Sequence, residues 1–577
     1  MSITSKRWLI APPMPHTLLR QYRQINPIVA QVLYNRGLKE PDAAYKFLYD
    51  RDVDTNPFLM KGINQAVARI RHAIKKQESI VVYGDFDADG VTSTALLMQT
   101  LRALGAVVKP YIPHRVDEGY GLNSKALLKL ARAGVKLVIT VDCGIRSVED
   151  VEDGKAAGLD IIITDHHSIG PEIPNALAVI NPKQVDCDYP EDMLAGVGVA
   201  YKLAQALLRV EGNMRRNALP LNEEDLLDLV AIGTVADLAP LSRLENRALV
   251  RRGLQQINLA RRPGLRALLD VVDLEAGKVS AMTIGYMLGP RINAAGRLGS
   301  AMTAYHLLAA ADMKQATRLA EELHELNSQR QDLTRDAQDL IRERIEAEAD
   351  DDNLLIFAAD PHFQPGIVGL VAGRLVEEFY RPAVVMEQGE DESRASCRSI
   401  PQFDITQALD QCADLLVRHG GHAQAAGFTV LNKNVPDLMQ RLVGLAQQTL
   451  AGQELKPTLE IDAEVDTNHV SEHLLEELQH LEPTGYMNAA PVFMMRNAYI
   501  LEWRLVGRDN RHLKLKVARA GRPPLDAIGF GLGEWAAQLP GHVDLAYQLE
   551  LNEWNGRRNL QLNVQDIRLS ESANGSA

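Results

Sequence analysis

The chain has 577 residues, of which 46% are hydrophobic and 24% are charged. A domain usually holds about 100–200 residues, so this length predicts several domains, and the composition excludes a wholly disordered, collagen-like or disulfide-stapled protein. The net charge is −13, from 62 Lys and Arg against 75 Asp and Glu, which taken alone argues against a basic nucleic-acid-binding protein.

Residues 1–75 are predicted to form a helical segment. Its clearest helix is IVAQVLYNRGL, which has apolar residues at helical spacing and reaches a glycine near its end. The first residues lack the apolar stretch of a signal peptide, and no apolar run approaches the roughly 20 residues that cross a bilayer. The four cysteines are scattered, which disfavours a structural zinc site. We therefore expect a soluble, cytoplasmic protein with no membrane partner.

Residues 76–240 alternate between two patterns. Short β-branched runs recur, in the order SIVVYG, VVKPYIP, VKLVITVD and DIIITD. Between them lie segments with helical spacing, VTSTALLMQTLRALG, NSKALLKLARAG and VEDGKAAG. Strands that alternate with helices of this length predict a parallel sheet with right-handed crossovers.

The rest of the chain is predicted to hold three further regions and a tail. Residues 241–350 form a helical connector, in which the long charged run ATRLAEELHELNSQRQDLTRDAQDLIRERIEAEAD is interpreted as a solvated connecting helix. A second α/β domain spans 351–452 and begins with NLLIFAAD. The short alternating runs of 456–570 predict a small β-barrel or a β-sandwich, and residues 571–577 are predicted to be a disordered tail.

Acidic and imidazole side chains follow the predicted strands. Three segments carry them directly after a strand, and a fourth, DLVAIGTVAD, is grouped with those strands and ends in an aspartate. The residues are Asp85, Asp87, Asp89, Asp142, Asp165, His166, His167 and Asp237. In an open parallel sheet ligands bind outside the carboxyl ends of the strands, so the four segments are expected to meet in one crevice.

Carboxylates in such numbers require positive charge between them, because they repel one another strongly at short distance. Carboxylates mixed with imidazole favour Mn²⁺, with Mg²⁺ as an alternative and Zn²⁺ less suited. The ligands outnumber the needs of one ion, so two ions about 3.5–4 Å apart with a shared carboxylate fit better. A single aspartate after a strand is more often a helix cap or a turn residue, and the hypothesis depends on the four segments together.

At these positions the sequence resembles the DHH phosphoesterase superfamily, whose triplet is present here as Asp165-His166-His167. The matching segments are YGDFDADGVTSTA, ITVDCGI, TDHH and GTVADLAPL. Three more resemble the single-strand-specific exonuclease branch of that superfamily, namely LGPRINAAGRL, SCRSI and GGHAQAAGF. The resemblance covers residues from about 15 to 570 and departs at PHFQPGIVGL, where a histidine-containing motif is expected and the role of His362 stays open.

The resemblance implies an α/β architecture with a parallel-sheet DHH catalytic domain at 76–240, a helical linker, a DHH-associated α/β domain at 351–452 and a C-terminal OB-like β-barrel. It implies a metal-dependent 5′→3′ exonuclease that converts single-stranded DNA to 5′-mononucleotides in DNA repair and recombination. It also implies the metal ligands, which are Asp87, Asp89, Asp142, His166 and Asp237, with Asp85 as a further ligand or neighbour. Asp142 would bridge the ions, Asp165 would orient an imidazole, and His167 would face the scissile phosphate.

Substrate contacts are expected outside the metal cage. Arg115 could hold a phosphate near the ions or be an ordinary surface arginine. Arg291 and Arg297 are interpreted as part of a glycine-rich loop, where the backbone can approach a phosphate closely. Ser396 and Arg398 would suit a terminal phosphate. The resemblance adds Gly420, Gly421 and His422 as substrate-binding residues, although these glycines could instead serve a turn.

The C-terminal module is expected to bind single strands through cations and aromatic rings. The candidates, each alone interpretable as a solvated surface residue, are Trp503, Arg504, Arg508, Arg511, Lys514, Lys516, Arg519, Trp554, Arg557 and Arg558. Residues 501–577 have 10 Lys and Arg against 9 Asp and Glu, a net charge of +1, which leaves −14 for the rest. We therefore expect a positive strip from Arg115 through Arg297 and Arg398 to this module.

Two alternative functions are kept. One is a nanoRNA or cyclic-dinucleotide phosphodiesterase of the same superfamily, and the other is a DNA-binding scaffold with an inactive site. The C-terminal module and the long connector favour the exonuclease, because short substrates do not need them. Single-stranded DNA is the expected partner, with a single-strand-binding protein and a helicase as further partners, and the chain is expected to be a monomer.

Overall fold

The structure, a computed structural model, describes residues 6–49, 53–115, 117–119, 121–214, 219–348, 353–519, 523–554 and 557–570. The predicted tail at 571–577 lies outside the described residues. The chain divides into two compact units. The first unit is Met1–Arg51, Lys456–Thr484 and Asn488–Ala577, and the second is Asp52–Leu455 with Gly485–Met487. None of the described helices combines the length and apolar character that a bilayer crossing requires.

The N-terminal elements precede a parallel sheet. The elements of this part are β1 (Arg7–Ile10), α1 (His16–Leu19), α2 (Pro27–Asn35), α3 (Pro41–Tyr49), α4 (Ile63–Lys76), β2 (Ser79–Gly84), α5 (Ala88–Ala103), β3 (Val107–Tyr111), α6 (Ser124–Arg132), β4 (Leu137–Val141), α7 (Val148–Ala156), β5 (Asp160–Thr164), β6 (Ala178–Ile180), α8 (Gly196–Met214) and α9 (Leu227–Ala236). Strands β3-β2-β4-β5-β6 form one all-parallel sheet, which confirms the predicted alternation. Strand β4 is buried along its whole length, as expected when helices cover both faces of a sheet.

The segment after this sheet is helical, as predicted. Its elements are α10 (Leu244–Asn258), α11 (Pro263–Asp270), α12 (Ala281–Thr283) continued by a π-helical turn (Ile284–Leu288), α13 (Gly289–Leu298), α14 (Ala301–Leu308) and α15 (Met313–Glu348). Helix α15 is not simply a solvated connector, because Leu319, Leu323, Asn327 and Ile341 along it are buried.

Two local predictions are wrong. The run DLVAIGTVAD forms helix α9, so Asp237 follows a helix and not a strand. The run GPRINAAGR forms α13, a helix and not a glycine-rich loop. Each helix contains a glycine at a point where another segment packs so closely that no side chain would fit. A Cβ atom on Gly233 of α9 would meet Val197, and a Cβ atom on Gly296 of α13 would meet Phe86.

The second α/β region of this unit is a mixed sheet. Its elements are β7 (Ile356–Asp360), α16 (Val368–Phe379), β8 (Ala383–Glu387), β9 (Glu392–Arg398), α17 (Ile405–Asp410), β10 (Leu416–His422), β11 (Ala425–Leu431) and α18 (Val435–Leu450). The strand order is β10-β11-β9-β8-β7, in which β7 and β8 are parallel and the other pairs antiparallel.

The other unit is a β-barrel. Its elements are β12 (Thr458–Ile461), β13 (Ala463–Glu464), α19 (Glu472–Gln479), β14 (Phe493–Val506), β15 (His512–Ala518), β16 (Leu525–Gly529), β17 (His542–Trp554) and β18 (Arg557–Leu569). The sheet order β13-β14-β15-β16-β18-β17 closes through an additional pairing of β14 with β17. The predicted C-terminal barrel is therefore confirmed.

The N-terminal residues belong to this same barrel unit, which the sequence analysis does not predict. Strand β1 pairs in parallel with β12, from Arg7 opposite Thr458 to Ile10 opposite Ile461. Helices α2 and α3 contribute residues such as Leu33 to the hydrophobic core that also contains barrel residues. A strand pairing across about 450 residues leaves no local sequence signal, because each partner alone is a short apolar run.

Candidate metal centre

The carboxyl ends of three neighbouring strands create the site. Asp85 directly follows β2, Asp142 follows β4 and Asp165 follows β5. Because these strands are adjacent and parallel, the three side chains lie at one edge of the sheet. Asp87 caps helix α5, since its Oδ1 accepts hydrogen bonds at 3.0 Å from the backbone N–H groups of Asp89 and Gly90.

Helix α8 fixes two of the aspartates. The N–H groups of Gly196 and Val197 donate to Asp89 at 2.6 and 2.8 Å, so the positive end of the helix faces this carboxylate. A Cβ atom on Gly196 would lie 2.6 Å from Asp142 Oδ1, so only glycine fits there. Asp142 itself has φ 63°, a conformation that aspartate and asparagine tolerate better than most residues.

The donor atoms form three groups that could each hold a metal ion. The groups are Asp142 with His166 and His167, Asp89 with His166 and Asp237, and Asp85 with Asp87 and Asp142, and within each the ligand atoms lie within 4.8 Å of one another. His166 Nε2 is 3.1 Å from Asp142 Oδ1, 3.7 Å from Asp237 Oδ2 and 3.9 Å from Asp89 Oδ2. Seven of the eight acidic and imidazole residues that follow the predicted strands therefore belong to these groups, and Asp142 and His166 each belong to two.

Burial and mutual repulsion shape the charges in this cage. Burial, followed by the charge of Asp87, raises the pKa of Asp89 to about 7. Burial, followed by the negative charge of Asp89, raises the pKa of Asp237 to about 9. Burial and the charge of Asp89 also raise the pKa of Asp142 well above its usual range. Burial lowers the pKa of His166 to about 3, which keeps its imidazole neutral and able to act as a ligand.

The donors fit divalent cations. Asp85 Oδ1, Asp142 Oδ1 and His166 Nε2 are buried and have no hydrogen-bond partner among the described residues. A buried polar atom without a partner is costly, and a carboxylate cluster of this kind is stabilised by a bound hard cation. Carboxylate oxygens with imidazole nitrogen are the ligands that suit Mn²⁺ and also Mg²⁺.

Asp165 and His167 form a pair beside the cage. Asp165 Oδ1 lies 2.8 Å from His167 Nδ1 and also accepts the backbone N–H groups of His166 and His167 at 2.7 and 3.0 Å. Burial disfavours the charged imidazolium, but the hydrogen bond and charge of Asp165 outweigh it and raise the pKa of His167. Burial alone would raise the pKa of Asp165, yet the hydrogen bonds from His167 hold that pKa below its ordinary value.

Three positioning residues are absent from the sequence analysis. Lys183 Nζ donates to the backbone oxygen of His166 at 2.5 Å, and Asn181 Nδ2 donates to that of His167 at 3.0 Å. Asn293 Oδ1 accepts the N–H of Ala88 at 2.7 Å, at the start of α5. Asn293 lies within LGPRINAAGRL, a motif in which only the two arginines are predicted to contact the substrate. Asn181 and Lys183 belong to no such motif, so the sequence does not distinguish them from ordinary turn residues.

Comparisons with known proteins agree with this geometry. Three family models match the chain, namely "DHH family, N-terminal domain" at residues 79–234, "DHHA1 domain" at 351–451 and "RecJ OB domain" at 461–566. A Bacillus subtilis protein named "Single-stranded-DNA-specific exonuclease RecJ" is 39% identical over 99% of this chain and 72% of its own length. The chain belongs to the RecJ family. A protein of the same name from Escherichia coli is 36% identical over 88% of this chain and 90% of its own.

Solved RecJ structures have the same fold. The crystal structure of RecJ from Thermus thermophilus in complex with Mn²⁺ matches with a TM-score of 0.83 and 30% identity, over 98% of this chain and 80% of that one. A crystal structure of exonuclease RecJ bound to manganese matches with a TM-score of 0.58 and 37% identity, over 67% of this chain and 95% of that one.

Arginines converge beside the metal cage of this RecJ-family chain. The guanidinium of Arg115 lies 4.7 Å above the Phe86 ring, next to the metal loop. Arg297 Nη1 donates to the backbone oxygen of Gly366 at 2.9 Å. Burial, followed by the charge of Arg115 and with the further help of Arg330 and Arg398, lowers the pKa of Arg297 to about 10. The charges of three other guanidinium groups thus act on Arg297, which favours a bound anion here.

Ser396 and Arg398 lie close together on strand β9. A Cβ atom on Gly369 of helix α16 would be 3.3 Å from Arg398 Nη2 and 3.4 Å from Ser396 Oγ, so both groups meet the first turn of that helix. Arg398 Nη1 donates to the backbone oxygen of Cys397 at 2.8 Å. Burial lowers the pKa of Arg398.

The remaining candidates of this unit are Arg291, three residues of β10 and, with its role open, His362, and the charge of Arg291 acts on Arg330 of that arginine cluster. Arg291 donates to the backbone oxygen of Met287 at 2.8 Å and lies 3.3 Å from His324. His362 has a 92% exposed side chain that pairs with Asp360 at 2.9 Å. Three candidates, Gly420, Gly421 and His422, lie at the exposed end of β10. Strand β11 leaves no room for a Cβ atom on Gly421.

The barrel of this RecJ-family chain exposes rings and cations on neighbouring strands. Trp503 on β14 is 49% exposed. In the pairing of β14 with β15, Arg504 lies opposite Lys514 and Glu502 opposite Lys516. Arg508 and Arg511 flank the turn between these strands, and Arg519 pairs with Asp466 at 2.9 Å. Arg558 is exposed, and the side chains of Trp554 and Arg557 lie outside the described residues.

Adding Mn²⁺ to metal-free protein is expected to raise its melting temperature by about 5 °C or more at saturating metal. The physical reason is that the cation binds the folded cage and offsets the repulsion among its carboxylates. Differential scanning fluorimetry with a Mn²⁺ titration and an EDTA reversal measures the shift. An unchanged melting temperature would contradict a preformed metal site.

Proposed function

We propose that this chain is a Mn²⁺- or Mg²⁺-dependent exonuclease that hydrolyses single-stranded DNA from the 5′ end, releases 5′-mononucleotides and serves DNA repair and recombination. The observation that carries this proposal is the aspartate and histidine cage beside a cluster of arginines, two of which, Arg115 and Arg297, interact electrostatically with Asp87 of that cage. Membership of a family whose relatives are named single-stranded-DNA-specific exonucleases supports the substrate.

The cage residues hold the ions in this proposal. The residues that would hold them are Asp87, Asp89, Asp142, His166 and Asp237, with Asp85 beside them, and Asp142 belongs to two of the donor groups. When bound, the two cations polarise the scissile phosphate and lower the pKa of the attacking water. The protein fixes the ligands in advance through the α8 N–H groups on Asp89 and the clamp of Asn181 and Lys183 on the histidine pair.

His167 acts on the phosphate rather than on the ions. Asp165 orients its imidazole through Nδ1, and the hydrogen bond and charge of Asp165 raise the pKa of His167, which favours the ring form with a proton on Nε2 as well. A protonated Nε2 donates a hydrogen bond to a phosphoryl oxygen, whose negative charge increases during the attack. His167 is therefore the residue that we assign to charge stabilisation, with Asp165 as its positioning residue.

The arginine cluster binds the terminal phosphate. Arg398 and Ser396 offer a guanidinium and a hydroxyl at the first turn of α16, and Arg115 and Arg297 add positive charge between this place and the cage. A phosphate held there identifies the 5′ end and gives the enzyme its polarity. Arg291 and the exposed residues Gly420, Gly421 and His422 are proposed to contact the strand further along.

The barrel is proposed to hold the more distant part of the strand. Replacing Trp503 by Ala together with Lys514 by Gln is expected to weaken binding of a long single strand by about 10-fold, because a stacking ring and a cation are lost. Fluorescence anisotropy with a labelled oligonucleotide measures the affinity. Arg519→Gln is the matched control, since that arginine already pairs with Asp466. Equal affinities of the double variant and the control would remove the barrel from the binding surface.

One assay tests the proposed activity against its alternatives. Purified protein receives 5′-labelled single-stranded DNA, duplex DNA, short RNA and a cyclic dinucleotide, each with Mn²⁺ or with EDTA. The expected result is degradation of single-stranded DNA to mononucleotides in Mn²⁺ alone. Cleavage of the cyclic dinucleotide or short RNA without degradation of the long strand would replace the exonuclease by the phosphodiesterase function, and binding without cleavage would indicate a scaffold.

The setting of the enzyme follows from this substrate. We propose a cytoplasmic location, where the DNA is, and a single-strand-binding protein and a helicase as partners that expose and present the strand. A monomer suffices, because every residue of the proposed cage comes from one chain.

A further inference from the structure

We propose that helix α13 is a spacer that fixes the distance between the metal centre and the residues that hold the terminal phosphate, and thereby sets the cut one nucleotide from the end. This inference rests on the proposed exonuclease function and explains the size of its product. Asn293 and Gly296 of α13 would act as positioning residues, since neither of them touches the substrate.

One side of α13 contacts the metal-binding loop through the backbone. Asn293 Oδ1 accepts the N–H of Ala88 at 2.7 Å, between the ligands Asp87 and Asp89. One helical turn further, a Cβ atom on Gly296 would lie 2.3 Å from the backbone oxygen of Phe86. The helix therefore lies directly on the loop, and only glycine permits this approach.

The next residue of α13 contacts the second α/β region, again through the backbone. A Cβ atom on Gly366 would lie 2.3 Å from the backbone oxygen of Arg297, and Arg297 Nη1 donates to the backbone oxygen of Gly366 at 2.9 Å. Helix α16 begins two residues after Gly366, and its Gly369 contacts Ser396 and Arg398. A continuous path thus joins the metal loop to the phosphate-binding residues.

The path is stiff because its two junctions are backbone contacts at glycines. A long side chain can change rotamer and absorb a displacement, whereas packed backbone atoms transmit it. Both junctions lie at consecutive residues of α13, Gly296 and Arg297, so the helix acts as a short rigid block between them. A strand with its end held on one side is consequently presented to the ions at one fixed position.

Gly366→Ala tests the spacer, because the new Cβ must push α13 away from the segment that precedes α16. The substitution changes none of the proposed metal ligands and none of the side chains that are proposed to bind the terminal phosphate. The two substrates are a 5′-phosphorylated single-stranded oligonucleotide and bis(p-nitrophenyl) phosphate, a small diester with no strand end to position. We expect kcat on DNA to fall by about 10-fold to 100-fold, because a displacement of about 1 Å misplaces the scissile bond. KM for DNA and turnover of the small diester should stay within about 2-fold of wild type.

Gly373→Ala is the matched control, since it adds the same methyl group to α16 where nothing lies within 4 Å. If Gly366→Ala melts well below wild type, both proteins are compared at a temperature at which each is fully folded, and the same selective loss of kcat on DNA is expected there. Equal losses on both substrates, or wild-type kinetics on DNA in Gly366→Ala, would overturn the spacer. Failure of the wild-type protein to degrade DNA would instead refute the proposed function.

Discussion

Replacing Asp142 with asparagine is expected to lower kcat/KM on single-stranded DNA by about 1,000-fold or more, with DNA affinity largely retained. Asp142 belongs to two of the three donor groups, so its loss affects both proposed ions. Asparagine keeps the size of the side chain and tolerates the positive φ of this position, so the backbone should not change. Single-turnover kinetics with Mn²⁺ and anisotropy in EDTA measure the two quantities.

The same variant should be more stable than wild type when both are metal-free. Burial and neighbouring carboxylates raise the pKa of Asp142, so its ionisation destabilises the folded state as pH rises, and an uncharged amide removes that cost. Melting curves in EDTA near neutral pH measure the difference. Asp186→Asn, at a carboxylate exposed at the surface, is the control and should change little. A metal-free Asp142→Asn protein less stable than wild type, or one with near-normal activity, would contradict the shared-ligand assignment.

Replacing Arg398 with methionine is expected to raise KM for 5′-phosphorylated single-stranded DNA by about 10-fold to 100-fold, the value of a charge-assisted hydrogen bond to phosphate. Arg398 is partly buried, and this burial lowers its pKa, so a bound phosphate would restore favourable electrostatics. Steady-state kinetics on matched oligonucleotides with a 5′-phosphate or a 5′-hydroxyl measure the effect.

The hydroxyl substrate separates a lost phosphate contact from general damage. Its kinetics should change by no more than about 2-fold in the Arg398 variant, because no terminal phosphate is present to bind. Arg335→Met is the control, since Arg335 is exposed on α15 and pairs with Asp332 at 2.7 Å. Equal losses on both oligonucleotides would assign Arg398 to another part of the strand.

The sequence predicts the parallel sheet and the place of the metal cage because both have local signals. Apolar runs alternate with helical spacing, and an acid follows each of β2, β4 and β5, where strand geometry brings them to one edge. Asp237 is predicted at the cage because its segment is taken for a strand, whereas the segment is a helix. The segment is almost wholly apolar, and periodicity cannot separate a buried strand from a buried helix.

The rest of the site depends on contacts between distant segments. Asn293 meets Ala88 across 205 residues, and Gly366 fits against Arg297 only after both regions have folded. The left-handed conformation of Asp142 has no signature in the residues around it, and the glycine that packs against its carboxylate, Gly196, lies in a distant segment of the chain. Such features are properties of the tertiary structure, and a pattern along the chain does not contain them.

The pairing of β1 with β12 has a consequence for synthesis on the ribosome. Residues 7–10 emerge before the entire catalytic unit, but their partner strand at 458–461 is made only after that unit is complete. Domains generally fold as they emerge, so the catalytic unit can fold before the barrel strands have been made. Until then the apolar side chains of α2 and α3 lack the barrel residues that bury them. We therefore expect the segment that contains β1, α2 and α3 to need protection by a chaperone during synthesis. A bulky tag placed next to β1 should impair the closing of the barrel unit, which folds last, rather than the folding of the catalytic unit.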